Sequence, residues 1–347
     1  MKIFYCQCGS RVFFENTACL TCGRELGFDS DALTMRSLAP PAGPAANPAM
    51  LIDVEGQARW RCGNHVEHGN CNWLVSDGTA ERLCRSCRLN DMIPALSGPG
   101  NLQLWTRVEE AKRRLLYSLF SLGLPLVRRG GSGLRFRIME DRRRNPGVYE
   151  SFVATAHLEG TITINIAEAD DATRHAVREQ MQERYRTVLG HLRHESGHFY
   201  FSLLTADPDL LEACRKRFGD ERQDYQASLE AHYHSGPPAD WHEHYVSAYA
   251  AAHPAEDFAE TFAHFLHIHD ALESARMTGL TPQADVDASA DDAGWIADWA
   301  ALAVTLNEIG RSLGSDDAYP FVLTDPVKEK LVFMNRLVAR QVSRQAG

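Results

Sequence analysis

The chain lacks the features that would place it in a membrane or on nucleic acid. No apolar run approaches the roughly 20 residues that a membrane-spanning helix needs. Basic residues are outnumbered, with 36 Lys and Arg against 46 Asp and Glu, so the 347 residues carry a net charge of -10. A general nucleic-acid-binding protein needs clustered Lys and Arg to neutralise phosphates. We therefore expect neither a membrane protein nor a nucleic-acid-binding protein.

The start of the chain, MKIFYCQCGS, lacks the apolar core and the small-residue cleavage site of a secretory signal peptide. Cysteine is nearly absent from most of the chain, because eight of the nine cysteines lie before residue 90. In a reducing compartment, closely spaced cysteines indicate metal ligands rather than disulfides. We therefore expect a cytoplasmic protein with metal sites near its N-terminus.

The early cysteines fall into two sets of four: Cys6, Cys8, Cys19 and Cys22, then Cys62, Cys71, Cys84 and Cys87. Four thiolates are the tetrahedral complement of a structural zinc ion, and close pairs suit a turn that points two sulfurs at one ion. A proline-rich segment separates the sets, so each set is predicted to bind one zinc rather than to exchange ligands with the other. His65 or His68 is an alternative to Cys71 in the second site.

Composition divides the chain into four predicted segments: a first zinc ribbon over 1–36, a Pro- and Ala-rich linker over 37–57, a second zinc ribbon over 58–100 and a catalytic domain over 101–347. The first ninety residues carry nine acidic and nine basic side chains, so the ribbons lack the positive charge of a nucleic-acid-binding module. We therefore expect the ribbons to be structural or to bind a protein partner.

Helical periodicity dominates the predicted catalytic domain. An amphipathic helix is predicted from Leu102 to about Gly123, and a second helix from Thr173 to about Leu204. Alternating and β-branched residues predict strands at 134–141 and within 149–170, most clearly at 161–166. These patterns predict an α+β fold whose catalytic domain is mostly helical with a small sheet.

The stretch HLRHESGHFYF contains the pattern H-E-x-x-H at residues 194–198. Residues four apart share a helix face, so His194 and His198 project side by side, as two imidazoles on one zinc must. Glu195 is predicted to be the general base that acts on a zinc-bound water. The alternative is a solvated polar turn, which is disfavoured by the apolar residues around the motif: Val188, Leu189, Leu192, Phe199, Tyr200, Phe201, Leu203 and Leu204.

Two histidines leave a catalytic zinc short of one protein ligand. Metzincins carry Gly and His where this chain has Phe201 and Leu204, which excludes that class. A predicted downstream helix carries Glu256 and Glu260 in the pattern E-x-x-A-E, which resembles the gluzincin signature E-x-x-[AS]-[DEN]. The resemblance implies that Glu256 binds zinc and that Glu260 supports a ligand histidine. The alternative ligands are Glu260, Asp257 and His264.

Two further points remain open at the level of sequence. Glu256 and Asp257 also fit a simpler role, since carboxylates are favoured at any helix N-terminus. A hydrogen-bond donor is needed to stabilise the oxyanion of the tetrahedral intermediate, and Tyr249 is the predicted donor. The alternatives to Tyr249 are Tyr245, His242 and His244.

Long stretches of the chain resemble bacterial zinc-binding metallopeptidases that carry an N-terminal zinc-ribbon domain. The resemblance runs almost end to end and rests on CQCGSRVFFENTACLTCG, CRSCRLNDMIPAL, TITINIAEADDATR, YRTVLGHLRHESGHFYF and HYVSAYAAAHPAEDFAETFAHFLHI. It implies a zincin-like, specifically gluzincin-like, catalytic domain with peptidase activity. Together with the cysteine sets, it implies one catalytic and two structural zinc ions, and it implies no particular substrate.

Two functions are consistent with the sequence. The first is a zinc-dependent peptidase or amide hydrolase that acts on a peptide or protein through a zinc-bound water activated by Glu195. The second is a catalytically silent zinc-ribbon adaptor whose zincin-like domain binds peptides or protein partners. The complete H-E-x-x-H motif with a downstream glutamate favours the first.

Overall fold

The computed structural model describes residues 2–41, 49–75, 82–127, 133–181, 183, 185–204, 207–280 and 294–346. The chain divides into two compact units. The first comprises Met1–Ser121, Arg135–Ala154 and Thr163–Asp171, and the second comprises Leu122–Leu134, Thr155–Ile162 and Ala172–Gly347. About half of the chain is helical and the rest includes several sheets, so the predicted α+β class is confirmed.

The first unit is rich in short strands. Strands β1 (Phe4–Tyr5) and β2 (Arg11–Val12) form an antiparallel pair. An antiparallel five-stranded sheet follows in chain order, made of β3 (Glu25–Asp29), β4 (Thr34–Ala39), β5 (Met50–Asp53), β6 (Ala58–Arg61) and β7 (Leu74–Val75). Strand β8 (Asn90–Met92) pairs in parallel with β9 (Arg135–Met139). The helices of this unit are α1 (Gly63–His68) and α2 (Asn101–Ser121).

The segment predicted as a linker over 37–57 contributes to the five-stranded sheet. Leu38 of β4 lies opposite Asp53 of β5, and Ala39 lies opposite Ile52. Pairing satisfies the backbone groups of both strands, so these two ends of the segment are parts of a sheet rather than a free connection. Residues 42–48, where the prolines and alanines concentrate, lie outside the described residues. The predicted domain boundaries stay predictions.

Helix α2 shares an aromatic core with the cysteine-rich segments. The ring of Tyr117 lies 5.6 Å from that of Phe14 and 6.1 Å from that of Phe28. Near the start of the helix, the ring of Trp105 lies 5.6 Å from that of His68. Trp105, Tyr117 and Phe28 are fully buried. Residues that precede α2 in the chain therefore cover part of its apolar face.

The second unit is mainly helical. Strand β10 (Ala156–Leu158) lies in this unit, whereas its neighbour β11 (Thr161–Asn165) has only its first two residues here and the others in the first unit. Strand β11 confirms the strand predicted there. The helices are α3 (Asp171–Met181), α4 (Val188–Leu204), α5 (Pro208–Phe218), α6 (Tyr225–Ser235), α7 (Trp241–His244), α8 (Pro254–Thr278), α9 (Gly294–Ser312) and α10 (Asp325–Ala346). None of the described helices has both the length and the apolar character required to cross a bilayer.

The prediction of one helix from Thr173 to Leu204 is wrong, because two helices, α3 and α4, occupy this range. Thr187 precedes α4, and its Oγ1 accepts a hydrogen bond of 2.9 Å from the backbone N–H of Gly190. A threonine that accepts from the third residue of a helix is a typical N-cap, so α4 has its own start. The hydrophobic period continues across the break, which is why the pattern alone suggested one helix.

Helices α4 and α8 pack closely against each other. A Cβ atom at Gly197 would lie only 2.8 Å from the Cα atom of Ala259, so a side chain at residue 197 would push the helices apart. A buried ion pair also joins the helices, since Arg193 lies 2.6 Å from Asp270. Both contacts fix the position of the H-E-x-x-H segment against α8.

Candidate active site

Helices α4 and α8 bring together His194, His198 and Glu256. One ligand atom from each residue can be chosen so that all three lie within 4.8 Å of one another. The Nε2 atom of His194 lies 3.1 Å from Nε2 of His198 and 3.1 Å from Oε2 of Glu256. The other oxygen of Glu256, Oε1, lies 3.4 Å from Nε2 of His198. The structure therefore places the three predicted catalytic ligands around one point.

The chemistry of these atoms fits a zinc ion. Nδ1 of His194 lies 2.7 Å from Oε1 of Glu260, and a carboxylate at this distance accepts the ring proton, which leaves a lone pair on Nε2. That lone pair faces His198 and Glu256. Oε2 of Glu256 is buried and has no hydrogen-bond partner among the described residues. Acceptors that face one another need a cation between them, and two imidazoles with one carboxylate are a common donor set for catalytic zinc.

The carboxylates of the centre are ionised. Burial raises the pKa of Glu256, but the adjacent imidazoles of His194 and His198 outweigh this effect and hold that pKa well below its ordinary value. Burial also opposes the ionisation of Glu260, yet its hydrogen bond with His194 lowers the pKa to about 2. The buried charge of Glu256 and the partly buried charge of Glu260 therefore attract a cation to the point where the ligand atoms converge.

Glu260 is held from both sides. One oxygen contacts His194, as described above, and the other, Oε2, accepts a 2.6 Å hydrogen bond from the hydroxyl of Ser247. Glu260 lies four residues after Glu256 and so shares its face of α8. These contacts are the ones expected of a residue that supports a ligand histidine, which is the role predicted for Glu260. Sequence reasoning missed Ser247, because a single serine before a turn carries no distinctive signal.

The other candidates for the third ligand have different partners. Asp257 accepts a 2.6 Å hydrogen bond from Nζ of Lys330, and this ion pair is buried. Nδ1 of His264 lies 2.7 Å from the hydroxyl of Tyr319. Burial raises the pKa of Asp257 to about 7. Neither side chain is among the residues grouped around His194 and His198.

Glu195 and Tyr249 lie at the same centre. Glu195 is buried directly beside His194 on α4. Tyr249 begins a short turn before α8, and its ring lies 5.9 Å from that of His194. Burial raises the pKa of Tyr249, with further contributions from the charges of Glu256 and Glu195. The Tyr249 hydroxyl therefore stays protonated at neutral pH, as a hydrogen-bond donor must.

The alternatives to Tyr249 make other contacts. Nζ of Lys330 lies 4.3 Å from the centre of the Tyr245 ring and donates a 2.8 Å hydrogen bond to the carbonyl of His244. The ring of His242 lies 6.2 Å from that of Trp241. These contacts keep the three alternatives beside Lys330 or Trp241.

Besides Ser247, three further side chains at the centre were not predicted from the sequence. The hydroxyl of Tyr225 donates a 2.6 Å hydrogen bond to Oε1 of Glu256. The ring of His157, on β10, stacks on that of His198 at 6.4 Å, and the ring of His232, on α6, lies 5.9 Å from that of Tyr249. These residues come from segments without a metal motif, so only the tertiary fold reveals them.

The early cysteines form the two predicted clusters. Neighbouring Sγ atoms lie 3.6 to 3.7 Å apart in the pairs Cys6–Cys22, Cys8–Cys19, Cys71–Cys84 and Cys71–Cys87. Within each cluster of four, the sulfurs lie within 4.8 Å of one another, which makes two four-cysteine zinc sites. His65 does not replace Cys71, because its Nδ1 lies 2.9 Å from the carbonyl oxygen of that residue. His68 packs its ring against Trp105.

The two cysteine clusters differ in exposure. Cys8 and Cys22 of the first cluster are exposed, whereas all four cysteines of the second are buried. The guanidinium of Arg113, on α2, is buried near the second cluster. Burial lowers the pKa of Arg113, but the negative charges of Cys71 and Glu109 outweigh this and raise the pKa above its ordinary value. The side chain therefore offsets thiolate charge.

Comparison with known proteins finds two family matches in successive parts of the chain. Residues 101–337 match a family described as "Putative zinc-binding metallo-peptidase", and residues 3–98 match a zinc-ribbon domain. Proteins named as uncharacterized from Mycobacterium bovis and from two strains of Mycobacterium tuberculosis are each 41% identical over 348 residues, which covers 97% of this chain and 95% of each relative. No solved structure matches the chain. With a zinc-ribbon domain over 3–98 and a metallopeptidase domain over 101–337, the chain belongs to this zinc-binding metallopeptidase family.

Proposed function

We propose that the chain is a zinc-dependent peptidase or amide hydrolase of gluzincin-like architecture. The observation that carries the proposal is the convergence of His194, His198 and Glu256, with a buried Glu256 oxygen that has no hydrogen-bond partner among the described residues. Three protein ligands leave a fourth position for water or substrate, which distinguishes a catalytic zinc from a structural one. A peptide or protein is the proposed substrate, and the cytoplasm is the proposed location.

The residues around the metal position divide the chemistry among them. Zinc, when bound, polarises a scissile carbonyl and lowers the pKa of water. Glu195 accepts the proton of the attacking water and returns it to the leaving amine. Tyr249 donates a hydrogen bond to the oxyanion of the tetrahedral intermediate. Glu260 holds His194 in the tautomer that leaves Nε2 available.

Strand β10 supports binding of an extended substrate. Among the described residues, β10 is paired on one side only, by β11, and it packs against α4. Its His157 ring stacks on that of His198. Edge strands are where extended peptides add by backbone pairing. Leu158, on the same strand, is 74% exposed and offers an apolar surface to a substrate side chain.

The substitution Glu195→Gln tests the proposal. Glutamine keeps the size of the side chain but cannot accept a proton, so hydrolysis should fall by at least ~100-fold, the lower end of general-base contributions. Wild type and variant are incubated with a peptide library prepared from a bacterial proteome, and new termini are counted by mass spectrometry. Glu212→Gln, on the exposed surface of α5, is the matched control and should cleave like wild type.

Zinc content and melting temperature should be the same in wild type and Glu195→Gln, which separates loss of chemistry from loss of structure. Equal cleavage by the two proteins would show that the proposed mechanism is wrong. No cleavage by wild type, with zinc bound at His194 and His198, would favour the silent adaptor that binds peptides without hydrolysing them.

A further inference from the structure

The two oxygens of the Glu256 carboxylate have different surroundings. Oε1 accepts a 2.6 Å hydrogen bond from the hydroxyl of Tyr225, the first residue of α6. Oε2 has no hydrogen-bond partner among the described residues and lies 3.1 Å from Nε2 of His194. We infer that Tyr225 is a positioning residue that holds Oε1, so that Glu256 presents Oε2 alone to the zinc ion. The inference rests on the proposed function, because it assumes zinc at this centre.

The position of Tyr225 is fixed by a link between the starts of two helices. His253 is the N-cap of α8, since its Nδ1 accepts a 3.1 Å hydrogen bond from the N–H of Ala255. Nε2 of the same ring therefore carries the proton and lies 3.3 Å from the carbonyl oxygen of Gln223. The His253 ring is buried and meets the ring of Tyr225 edge to face at 5.1 Å. One histidine thus joins the turn before Tyr225 to the turn before Glu256.

Apart from such contacts, α6 is lightly anchored. None of its residues is fully buried, and the side chain of Tyr225 is itself 43% exposed. A helix with so little buried surface gains little stability from core packing. The hydrogen bond from Tyr225 to Glu256 is therefore not a by-product of burying the tyrosine in the core. The hydroxyl can therefore be removed with little expected effect on the fold.

Control of one carboxylate oxygen has a consequence for the metal. A glutamate with both oxygens available can offer two ligand atoms to zinc and fill the position needed by water or substrate. A hydrogen bond from Tyr225 to Oε1 disfavours this and restricts rotation of the carboxylate. Hydrogen-bond partners of metal ligands typically change metal affinity by about 10–100-fold when they are removed.

The test uses the full-length protein with Tyr225→Phe, which removes only the hydroxyl. Zinc affinity at the His194 site is measured by competition with a chromogenic chelator, under conditions in which both cysteine sites keep their zinc. We expect the variant to bind this zinc about 10–100-fold more weakly than wild type. Tyr233→Phe, on the exposed side of the same helix, is the matched control and should bind like wild type.

A spectroscopic readout separates positioning from general destabilisation. Cobalt(II) replaces zinc at the His194 site alone, and the visible spectrum should differ between wild type and Tyr225→Phe because the number of carboxylate oxygens on the metal changes. His253→Asn probes the same link from its other end, since asparagine can cap α8 but is too short to reach Gln223. We expect His253→Asn to weaken zinc binding at the His194 site, as Tyr225→Phe does.

The outcomes are distinct. Unchanged affinity and unchanged cobalt spectra in Tyr225→Phe would overturn the inference. A wild-type protein that binds no zinc beyond the two cysteine sites would instead overturn the proposed function on which the inference rests. Equal loss of zinc affinity in Tyr225→Phe and Tyr233→Phe would also overturn the inference, because it would trace the effect to α6 as a whole.

Discussion

The four-cysteine sites and the histidine–glutamate centre differ in the number of protein ligands that they offer to a metal ion, and therefore in whether a coordination position stays open for water or substrate. Four thiolates complete the coordination of a zinc ion, so each cysteine cluster can hold its metal without another ligand. The other centre groups only His194, His198 and Glu256, with Glu195 and Tyr249 close by. The comparison teaches that the number of protein ligands and the proton-transfer groups beside them separate a structural role from a catalytic one.

The cysteine clusters also differ from each other. The second is buried and lies near the buried cation Arg113 on α2, whereas the first has two exposed ligands. Exposed thiolates are compensated by water, but buried thiolates need nearby positive charge. Helix α2 therefore belongs structurally with the cysteine-rich segments, although the peptidase family match begins at its first residue.

The largest expected effect comes from deleting residues 1–100. The fragment 101–347 keeps α2 but removes the partners of its aromatic residues, since Tyr117 contacts Phe14 and Phe28 and Phe120 contacts Trp73. Removal of a buried Phe or Trp side chain costs about 3–5 kcal/mol, against a typical stability of about 5–15 kcal/mol, and the deletion removes several. The fragment should be insoluble or lack a cooperative melting transition. A soluble fragment that melts at the temperature of the full chain would mean that the ribbons are detachable modules.

The next effect distinguishes the cysteine clusters. Cys84→Ala removes a buried ligand and should unfold most of the first unit, because a structural zinc site contributes on the order of 10 kcal/mol to folding. Cys8→Ala removes an exposed ligand whose place water can take, so the melting temperature should fall less. Cys214→Ala, a lone buried thiol in the second unit, is the control and should lose no zinc. Equal destabilisation by Cys8→Ala and Cys84→Ala would contradict the distinction.

Metal content tests the contrast between closed and open sites. Protein purified without added metal should contain three zinc ions per chain, and mild chelation should remove one while the cysteine sites keep theirs. The variant Glu256→Ala should contain two zinc ions, as wild type does after mild chelation. Its first unit should melt as it does in wild type. Elemental analysis gives both numbers. One zinc ion or none in wild type, with freely titrating thiols, would contradict the assignment of all three sites.

The smallest expected effects on zinc binding come from residues that support the ligand His194 without binding the metal themselves. Glu260→Ala should weaken zinc binding at the His194 site by about 10–100-fold, because the ring of His194 loses the acceptor that fixes its tautomer. Ser247→Ala removes only the second contact of Glu260, so its effect should be smaller. Chelator competition ranks the two variants. A larger loss in Ser247→Ala than in Glu260→Ala would mean that the serine acts on the metal by another route.

The ligand helix could be predicted because its signal is local. His194, Glu195 and His198 lie within five residues, and the helical period alone places both imidazoles on one face. Glu256 and Glu260 were found from a second pattern with the same period. Tyr225 and Ser247 come from α6 and from the segment before α8, where no fixed spacing relates them to the motif, so their roles depend on tertiary contacts.

The same distinction applies to the fold. Helix α2 was predicted close to its observed bounds, since its apolar residues recur at the helical period. The break before Val188 was missed because the cap provided by Thr187 competes with a continuing hydrophobic period. The pairing of β4 with β5 was missed because a proline-rich sequence between two short strands does not indicate whether they meet.

The close contact between Gly197 and Ala259 changes how the zinc motif is to be written. One of the two variable letters in H-E-x-x-H is not variable in this protein, because any side chain at 197 would collide with the backbone of α8. The pattern that this fold can accept is H-E-x-G-H paired with a small residue at 259, which is the fourth letter of the E-x-x-A-E pattern and directly precedes Glu260. A search for distant relatives should therefore score the two motifs as one joint pattern, and a protein design that transplants the H-E-x-x-H helix must transplant the glycine with it.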